Sequence, residues 1–224
     1  GVAVALPIGA AAQRLALDYR RVVAGARSLK GVRLGWSPSY ADGLGAAQAR
    51  LFRAALATLT GLGATLVETD DLENSKNAGV AELGLIPNDF KANLDHYLTT
   101  AVPTPRSGVK SLVDIVLFNQ DHPDKVKYGQ DLLIASAAQP GSAEAASASS
   151  LGLRTAMGAV IDQVLTSNDL DAFVSSGYDN ANLGASAGYP SVTVPSGLVR
   201  DTTPLGVTFL GTAWSEATLL RVAG

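Results

Sequence analysis

Two neighbouring runs decide the fold: GYPSVTVPSG at residues 188–197 and PLGVTFLG at residues 204–211. Each run holds β-branched, aromatic and aliphatic residues between glycines and prolines, with β-rich segments at 191–194 and 205–210. A polar connection of turn-forming residues joins them and ends at Pro204. This arrangement predicts two strands that meet near a turn.

A second signal lies near the start of the chain, where residues 32–36 and 64–68 have the composition of buried strands. Between them, residues 46–62 carry apolar side chains at a helical spacing: Leu51, Phe52, Ala55, Leu56 and Leu59. Strand, helix and strand with short connections predict parallel strands joined by a right-handed crossover.

The other predicted elements alternate in the same way. We expect helices at residues 78–98, 112–120, 128–138 and 151–165, a strand at 170–174, and a closing helix after Ser215, a residue typical of N-caps. Residues 139–150 are compatible with a flexible loop or a weak helix, and residues 177–188 with a polar connection holding a helical turn. The predicted fold class is α/β, with a mixed β-sheet covered by helices.

Composition restricts the functional classes. The 224 residues carry a net charge of −3 without a basic run, which argues against nucleic acid as a partner. The chain has no cysteine, so disulfides and thiolate chemistry are excluded. Because no apolar run reaches the ~20 residues of a membrane-spanning helix, we expect no membrane partner. A soluble protein is expected, and both a cytoplasmic and an exported location remain open.

Several passages occur in the order found in one enzyme family. They are LKGVRLG at 29–35, DFKANLDHYL at 89–98, SLVDIVLFNQ at 111–120, YGQD at 128–131 and AWSE at 213–216. Together with the opening runs, they resemble the C-terminal half of the amidase signature family, most closely its peptide amidase branch. The resemblance divides residues 1–224 into a connecting segment at 1–28 and a matching region at 29–224.

The resemblance implies hydrolysis of an amide to a carboxylic acid and ammonia, by a Ser-cisSer-Lys triad without metal or organic cofactor. The family's Gly/Ser-rich nucleophile segment is not found in this sequence. We therefore expect no catalytic residue in this chain, and an inactive isolated chain that supplies scaffold and one wall of the pocket. The implied partners are a small amide substrate and a missing N-terminal half of the same protein.

Five residues are candidates for substrate binding. Asn119 and Gln130 carry amides that donate and accept hydrogen bonds at once, which suits recognition of an amide, and Tyr128 is close to both in sequence. Asp179 and Asn180 follow the last buried strand, where the family's segment approaches the active site. As structural alternatives, Asn119 and Gln130 could cap helices or connect the loop to the core by hydrogen bonds. Asp179 and Asn180 could form an Asx-turn and the N-cap of the following helical turn.

Other chemistry-bearing residues have structural interpretations. The segment SASSLG at 147–152 lacks paired glycines, and the lysines are expected to face solvent: Lys30, Lys76, Lys91, Lys110, Lys125 and Lys127. His96 and His122 have no metal-ligand spacing. Phe52, Phe173 and Phe209 are expected in the core.

Two other functions remain open at this level. One is a non-catalytic binding or scaffold module derived from the same fold, and the other is an A-type subunit of an amidotransferase. If the chain is half of a fold, its sheet should carry an unpaired edge and an exposed apolar patch.

Overall fold

The computed structural model describes residues 19–25, 28–74, 80–101, 108–141, 143–200 and 202–224. The chain divides into two compact units, one formed by residues 1–79 with 154–224 and the other by residues 80–153. Lys76, one of the lysines expected to face solvent, lies outside the described residues.

The first unit contains a five-stranded sheet and its covering helices. Its elements are α1 (Tyr19–Ala24), β1 (Arg33–Trp36), α2 (Pro38–Asp42), α3 (Ala46–Gly61), β2 (Thr65–Glu68), α4 (Asp71–Asn74), β3 (Ala172–Ser176), α9 (Ala181–Ala187), β4 (Ser191–Val199), β5 (Thr203–Leu210) and α10 (Glu216–Ala223). The second unit contains α5 (Val80–Thr100), α6 (Leu112–Asp121), a 3-10 turn (Pro123–Lys125), α7 (Asp131–Ala137) and the first part of α8 (Ala143–Ser167).

The sheet is mixed, as predicted, with the strand order β2-β1-β3-β5-β4. β1 pairs in parallel with β2 and β3, so the predicted parallel pair around α3 is confirmed. β5 runs antiparallel to both β3 and β4. The register places Ser175 opposite Thr208, and Thr208 opposite Thr193.

A hydrophobic core holds the first unit together. Phe52 on α3 and Leu34 on β1 are fully buried, and Val174, Phe209 and Leu219 join them in one cluster. Full burial of such a side chain contributes about 1.5–3 kcal/mol. Phe173 is also buried, so all three phenylalanines predicted for the core are inside.

Helix boundaries differ from the sequence-based ones where glycine intervenes. Gly129 has φ +76° and Gly141 has φ +69°, a conformation that interrupts a helix. Accordingly α7 begins at Asp131 rather than at 128. Beyond Gly141, α8 runs unbroken from Ala143 to Ser167. The sequence left residues 139–150 open between a flexible loop and a weak helix. From Ala143 onward this stretch is helical, in keeping with the high helix propensity of alanine.

Two further local details depart from expectation. β4 extends through Pro195 to Val199, and a register irregularity between Pro195 and Gly197 accommodates the proline. Ser215 occupies the N-cap position of α10, but its hydroxyl donates to the Thr212 carbonyl at 2.8 Å instead of capping the helix.

Candidate functional site

Polar side chains gather where β3 ends. Ser176, the last residue of β3, is 1% exposed. The Tyr40 hydroxyl donates to the Ser176 carbonyl oxygen at 2.8 Å, and Gln48 Nε2 donates to Ser176 Oγ at 3.2 Å. Ligands of open α/β sheets commonly bind beyond the carboxyl ends of parallel strands. This end of the sheet is therefore one candidate surface.

A row of hydroxyl groups crosses the sheet beside it. Ser175, Thr208 and Thr193 face each other in register on three neighbouring strands. Thr193 Oγ1 and Thr208 Oγ1 are 2.8 Å apart, and Thr208 Oγ1 also donates to the Gly177 carbonyl. Ser175 is 1% exposed, yet its Oγ has no hydrogen-bond partner in the part of the chain that the structure describes.

Asn180 presents a second buried polar atom of this kind. It precedes α9 and is 2% exposed, but its side chain makes no cap bond, and its Oδ1 lacks a partner among the described residues. The Asn180 carbonyl accepts the Gly184 N–H at 3.2 Å, so the residue begins the helix through its backbone. Buried polar atoms without partners are rare in native structures, and each calls for an explanation.

The other two residues of this turn are more accessible. Tyr178 is 81% exposed and Asp179 is half-buried. Tyr178 and Asp179 thus lie toward the surface of the turn between β3 and α9, while Asn180 lies inside.

The corner between α6 and α7 holds the remaining candidates. Gln130 Nε2 donates to the Val116 carbonyl at 3.4 Å and ties the start of α7 to α6, which is the structural alternative anticipated for this residue. Its Oε1 is buried without a partner among the residues described. Asn119 is half-buried on α6, whereas Tyr128 is 88% exposed, with Lys127 Nζ 5.2 Å from its ring centroid.

The candidate residues therefore form two sets. Asn119, Tyr128 and Gln130 lie in the second unit, and Asp179 and Asn180 lie in the first. Each set contains one buried side-chain oxygen without a described partner and at least one exposed or half-buried polar residue.

Sequence reasoning missed a cluster of two hydroxyls and a carboxylate after β1 and β2. Ser37 Oγ and Ser39 Oγ donate to Asp70 Oδ1 at 2.6 and 2.9 Å. The bond from Ser37, followed by that from Ser39, lowers the pKa of Asp70. Ser37 also caps α2 by accepting the Tyr40 N–H at 3.0 Å. Serine followed by Pro38 is a recognisable N-cap signal, but no local pattern places Asp70 beside it.

Of the five lysines that the structure describes, four follow their prediction. Lys30, Lys110, Lys125 and Lys127 are exposed. Lys91 is half-buried, and its Nζ donates to the Ala137 and Gln139 carbonyls at 2.9 and 2.6 Å. The expectation that Lys91 faces solvent is wrong, because the end of α7 offers it carbonyl groups that lack helical partners.

The serine-rich segment 147–152 belongs to α8. Ser150 Oγ donates to Asp89 Oδ2 at 2.8 Å, while Asp89 Oδ1 is buried without a described partner. This contact joins a hydroxyl to a carboxylate and connects α8 to α5.

Metal sites and membrane spans are absent from the described residues. No group of three or more His, Asp or Glu side chains is arranged there to hold a metal ion. Every helix in these ranges is too short or too polar to span a bilayer.

Known proteins resemble this chain over part of their length. No family model matches it. A probable amidase of Arabidopsis thaliana is 31% identical over 138 residues, which cover 60% of this chain and 26% of that protein. The peptide amidase of Stenotrophomonas maltophilia is 31% identical with a TM-score of 0.75, over 92% of this chain and 44% of that one. An amidase family protein of Bacillus anthracis is 26% identical with a TM-score of 0.76, over 92% and 40%.

The chain has the fold of one portion of the amidase-signature enzymes. It is similar to the C-terminal portion of these proteins and spans less than half the length of the solved peptide amidase. The predicted family resemblance and fold class are thereby confirmed.

Within the amidase-signature fold, the passages that carried the resemblance lie on defined elements. Residues 29–35 lead into and form most of β1, residues 89–98 lie on α5, and residues 111–120 cap and form α6. Residues 128–131 precede and begin α7, and residues 213–216 lead into α10.

Proposed function

We propose that this chain is part of an amide-bond hydrolase of the amidase-signature type, which converts an amide and water to a carboxylic acid and ammonia. The observation that carries the proposal is the similarity to the peptide amidase over 92% of the chain at 31% identity. Catalysis in this proposal depends on a Ser-Ser-Lys group outside residues 1–224. The chain itself contributes scaffold and part of the substrate pocket, without a cofactor.

In this proposal, the exposed and half-buried candidates meet the substrate. Tyr128 offers an aromatic ring and a hydroxyl, Asn119 an amide, and Asp179 a carboxylate. Gln130 and Asn180 support these residues from within their respective units, where each holds a buried oxygen. A solved peptide amidase, 30% identical to this chain, holds the competitive inhibitor chymostatin, which supports a small amide-bearing compound as the ligand.

The experiment compares the isolated chain with the protein expressed from the complete reading frame that contains it. Both are supplied with simple primary amides and with C-terminally amidated peptides, and ammonia release is measured. We expect turnover by the longer protein and none by the isolated chain. Turnover by the isolated chain would overturn the assignment of the catalytic groups to another part of the protein.

The binding-module alternative has its own outcome in the same assay. A longer protein that binds amidated peptides, measured by calorimetry, but releases no ammonia would support it against the hydrolase. Tyr128→Ala and Asp179→Asn then test the proposed pocket residues. In the hydrolase, each should raise KM more than it lowers kcat if the residue contributes to binding alone.

A further inference from the structure

The short helix α7 is the feature from which a further inference follows. Of its seven described residues, Ser136 is the one that is buried. Helices of this length are unstable on their own in water, so α7 depends on its contacts with α5 and α6. Because it buries so little apolar surface, the polar contacts at its two ends decide where it lies.

The N-terminal end of α7 adjoins residues of the proposed pocket. Gln130 directly precedes the helix, and its carbonyl accepts the Ile134 N–H at 3.0 Å. Its side chain reaches α6 through the bond from Nε2 to the Val116 carbonyl, which at 3.4 Å lies at the long end of the hydrogen-bond range. Tyr128 lies two residues earlier and is exposed. Gln130 therefore fixes this end of the helix only weakly.

The C-terminal end of α7 is held by Lys91 on α5. Lys91 Nζ donates to the Ala137 carbonyl at 2.9 Å and to the Gln139 carbonyl at 2.6 Å. Carbonyl groups at a helix C-terminus lack helical partners and carry partial negative charge, so an ammonium group is stabilising there. Hydrogen bonds from a charged donor are also stronger than neutral ones. Lys91 therefore holds α7 more firmly than Gln130 does.

The segment after α7 reinforces this contact. The Gly141 N–H donates to Asn88 Oδ1 at 3.0 Å. A Cβ added at Gly141 would lie 3.0 Å from Lys91 Cδ and 3.1 Å from Cε, so the stem of Lys91 lies directly against the glycine. Residues three apart on a helix share one face. Asn88 and Lys91 thus fix the end of α7 and the following turn from one face of α5.

We propose that Lys91 is a positioning residue for substrate binding. By holding the C-terminal end of α7, it sets the direction in which the other end, through Gln130, presents Tyr128 to the substrate. At about 1.5 Å per residue the helix is about 10 Å long, and a rigid element of this size passes a displacement at one end to the other. The inference rests on the proposed function in taking Tyr128 as a residue of the substrate pocket.

Kinetics of the protein from the complete reading frame test the positioning. Lys91→Met removes both bonds, and we expect it to raise KM for a C-terminally amidated peptide about three- to tenfold, the equivalent of one hydrogen bond. The change in kcat should be less than about twofold. A role in stability alone would lower the amount of folded enzyme, and with it the apparent kcat, without changing KM. An unchanged KM would overturn the proposal.

Two further variants act as references for Lys91→Met. Lys110→Met removes a charge from an exposed position of the same unit and should leave KM unchanged. Lys91→Arg keeps a charged donor, so its KM should lie closer to that of the wild-type protein than to that of Lys91→Met. A KM for Lys91→Arg as high as that of Lys91→Met would contradict a role of the charged donor.

A double variant tests whether Lys91 acts through the far end of α7. In a Tyr128→Ala background, Lys91→Met should raise KM by a smaller factor than in the wild-type protein, because coupled residues are not additive. Equal factors in the two backgrounds would mean that Lys91 affects KM by another route and would overturn the proposal.

Gly141→Ala tests the same contact if Lys91→Met fails to fold. The added Cβ displaces the stem of Lys91 from its place beside the two carbonyls, so KM should again rise. Gly108→Ala is the matched control, since φ there is also positive, at +70°, and an added Cβ meets nothing within 4 Å. An equal KM for the two glycine variants would overturn the proposal.

A spectroscopic readout separates this inference from the proposed function. The NMR signals of the Gln130 side-chain amide should shift in Lys91→Met and stay in place in Lys110→Met, whether or not ammonia is released. If the protein binds the amidated peptide without hydrolysis, the hydrolase proposal fails, and the Kd from calorimetry should rise in Lys91→Met as predicted for KM. Hydrolysis with unshifted Gln130 signals and an unchanged KM retains the function and removes the inference. A protein that neither binds nor hydrolyses the peptide overturns both.

Discussion

Tyr189 and Asp162 are joined by a hydrogen bond of 2.7 Å from the tyrosine hydroxyl to Asp162 Oδ2. The bond ties the segment before β4 to α8 in the first unit. Burial, and then the bond to Asp162, raise the pKa of Tyr189 to about 12. Because the neutral phenol is the form that donates, this contact depends on protonation.

The first prediction concerns the pH dependence of stability. The pKa of Tyr189 is raised above the reference value of 10.0, so its contribution is complete below pH 10 and is lost as the pH rises toward about 12. Tyr189→Phe should lower the free energy of unfolding by about 1–2 kcal/mol at neutral pH, since it leaves Asp162 without this donor. It should also flatten the loss between pH 10 and 12. Urea unfolding across this range measures both, and equally steep curves for the two proteins would contradict the prediction.

The second prediction concerns the glycine that faces Tyr189. A Cβ added at Gly158 on α8 would lie 3.0 Å from the Tyr189 hydroxyl oxygen and 3.2 Å from Cζ. Alanine at a helix interior normally gains about 0.5–1 kcal/mol over glycine. At Gly158 we expect the contact to outweigh this gain, so Gly158→Ala lowers the Tm.

Gly152 is the matched control on the same helix, since an added Cβ there meets nothing within 4 Å. Gly152→Ala should raise the Tm. If both substitutions raise it, Tyr189 relaxes without cost and the close packing at Gly158 is unimportant.

The third prediction compares two adjacent serines that are each 1% exposed. Ser175 Oγ has no partner in the described residues, whereas Ser176 Oγ accepts a bond from Gln48. Ser176→Ala should cost about 1 kcal/mol of unfolding free energy, while Ser175→Ala should be neutral or stabilising, because it removes a buried hydroxyl that lacks a bond. Equal losses in chemical denaturation would show that the Ser175 hydroxyl is satisfied in solution.

The fourth prediction concerns Lys91, which links α5 to the end of α7 through two carbonyls. Lys91→Met keeps the aliphatic stem but removes the charged donor, and should cost about 1–2 kcal/mol within the second unit. Faster hydrogen exchange along α7 would report the loss. Lys127→Met, at an exposed position, should change stability by less than about 0.5 kcal/mol. Similar exchange in the two variants would reject a structural role for Lys91.

Local patterns in the sequence predicted much of the fold. The alternation around Ser191 and Leu205, and the helical spacing around Phe52, predicted strands and a helix that the structure contains. These predictions succeeded because the spacing of apolar residues and the residues that form a turn both depend on neighbours within a few positions of the chain. The boundaries at Asp131 and Ala143 were missed, since they depend on the left-handed conformations of Gly129 and Gly141.

The candidate site was less predictable. Asn119 and Gln130 were selected for the chemistry of their amides, and Asn180 for its place after the last buried strand. Their role in substrate binding stays a prediction. Neither the buried oxygens of Gln130 and Asn180 nor the contact of Ser37 with Asp70 has a local signature. Such features depend on which distant segments meet, and short-range spacing carries no information about them.

By itself, the sequence determined the alternation of strands and helices, the mixed sheet and the likeness to amidases. These follow from hydrophobic period, glycine and proline positions, and an ordered set of motifs. Only the tertiary structure decided that Lys91 turns inward and that Tyr189 meets Asp162. The physical reason is that a hydrogen bond is fixed by the positions of both partners, and for most of these bonds one partner lies far along the chain.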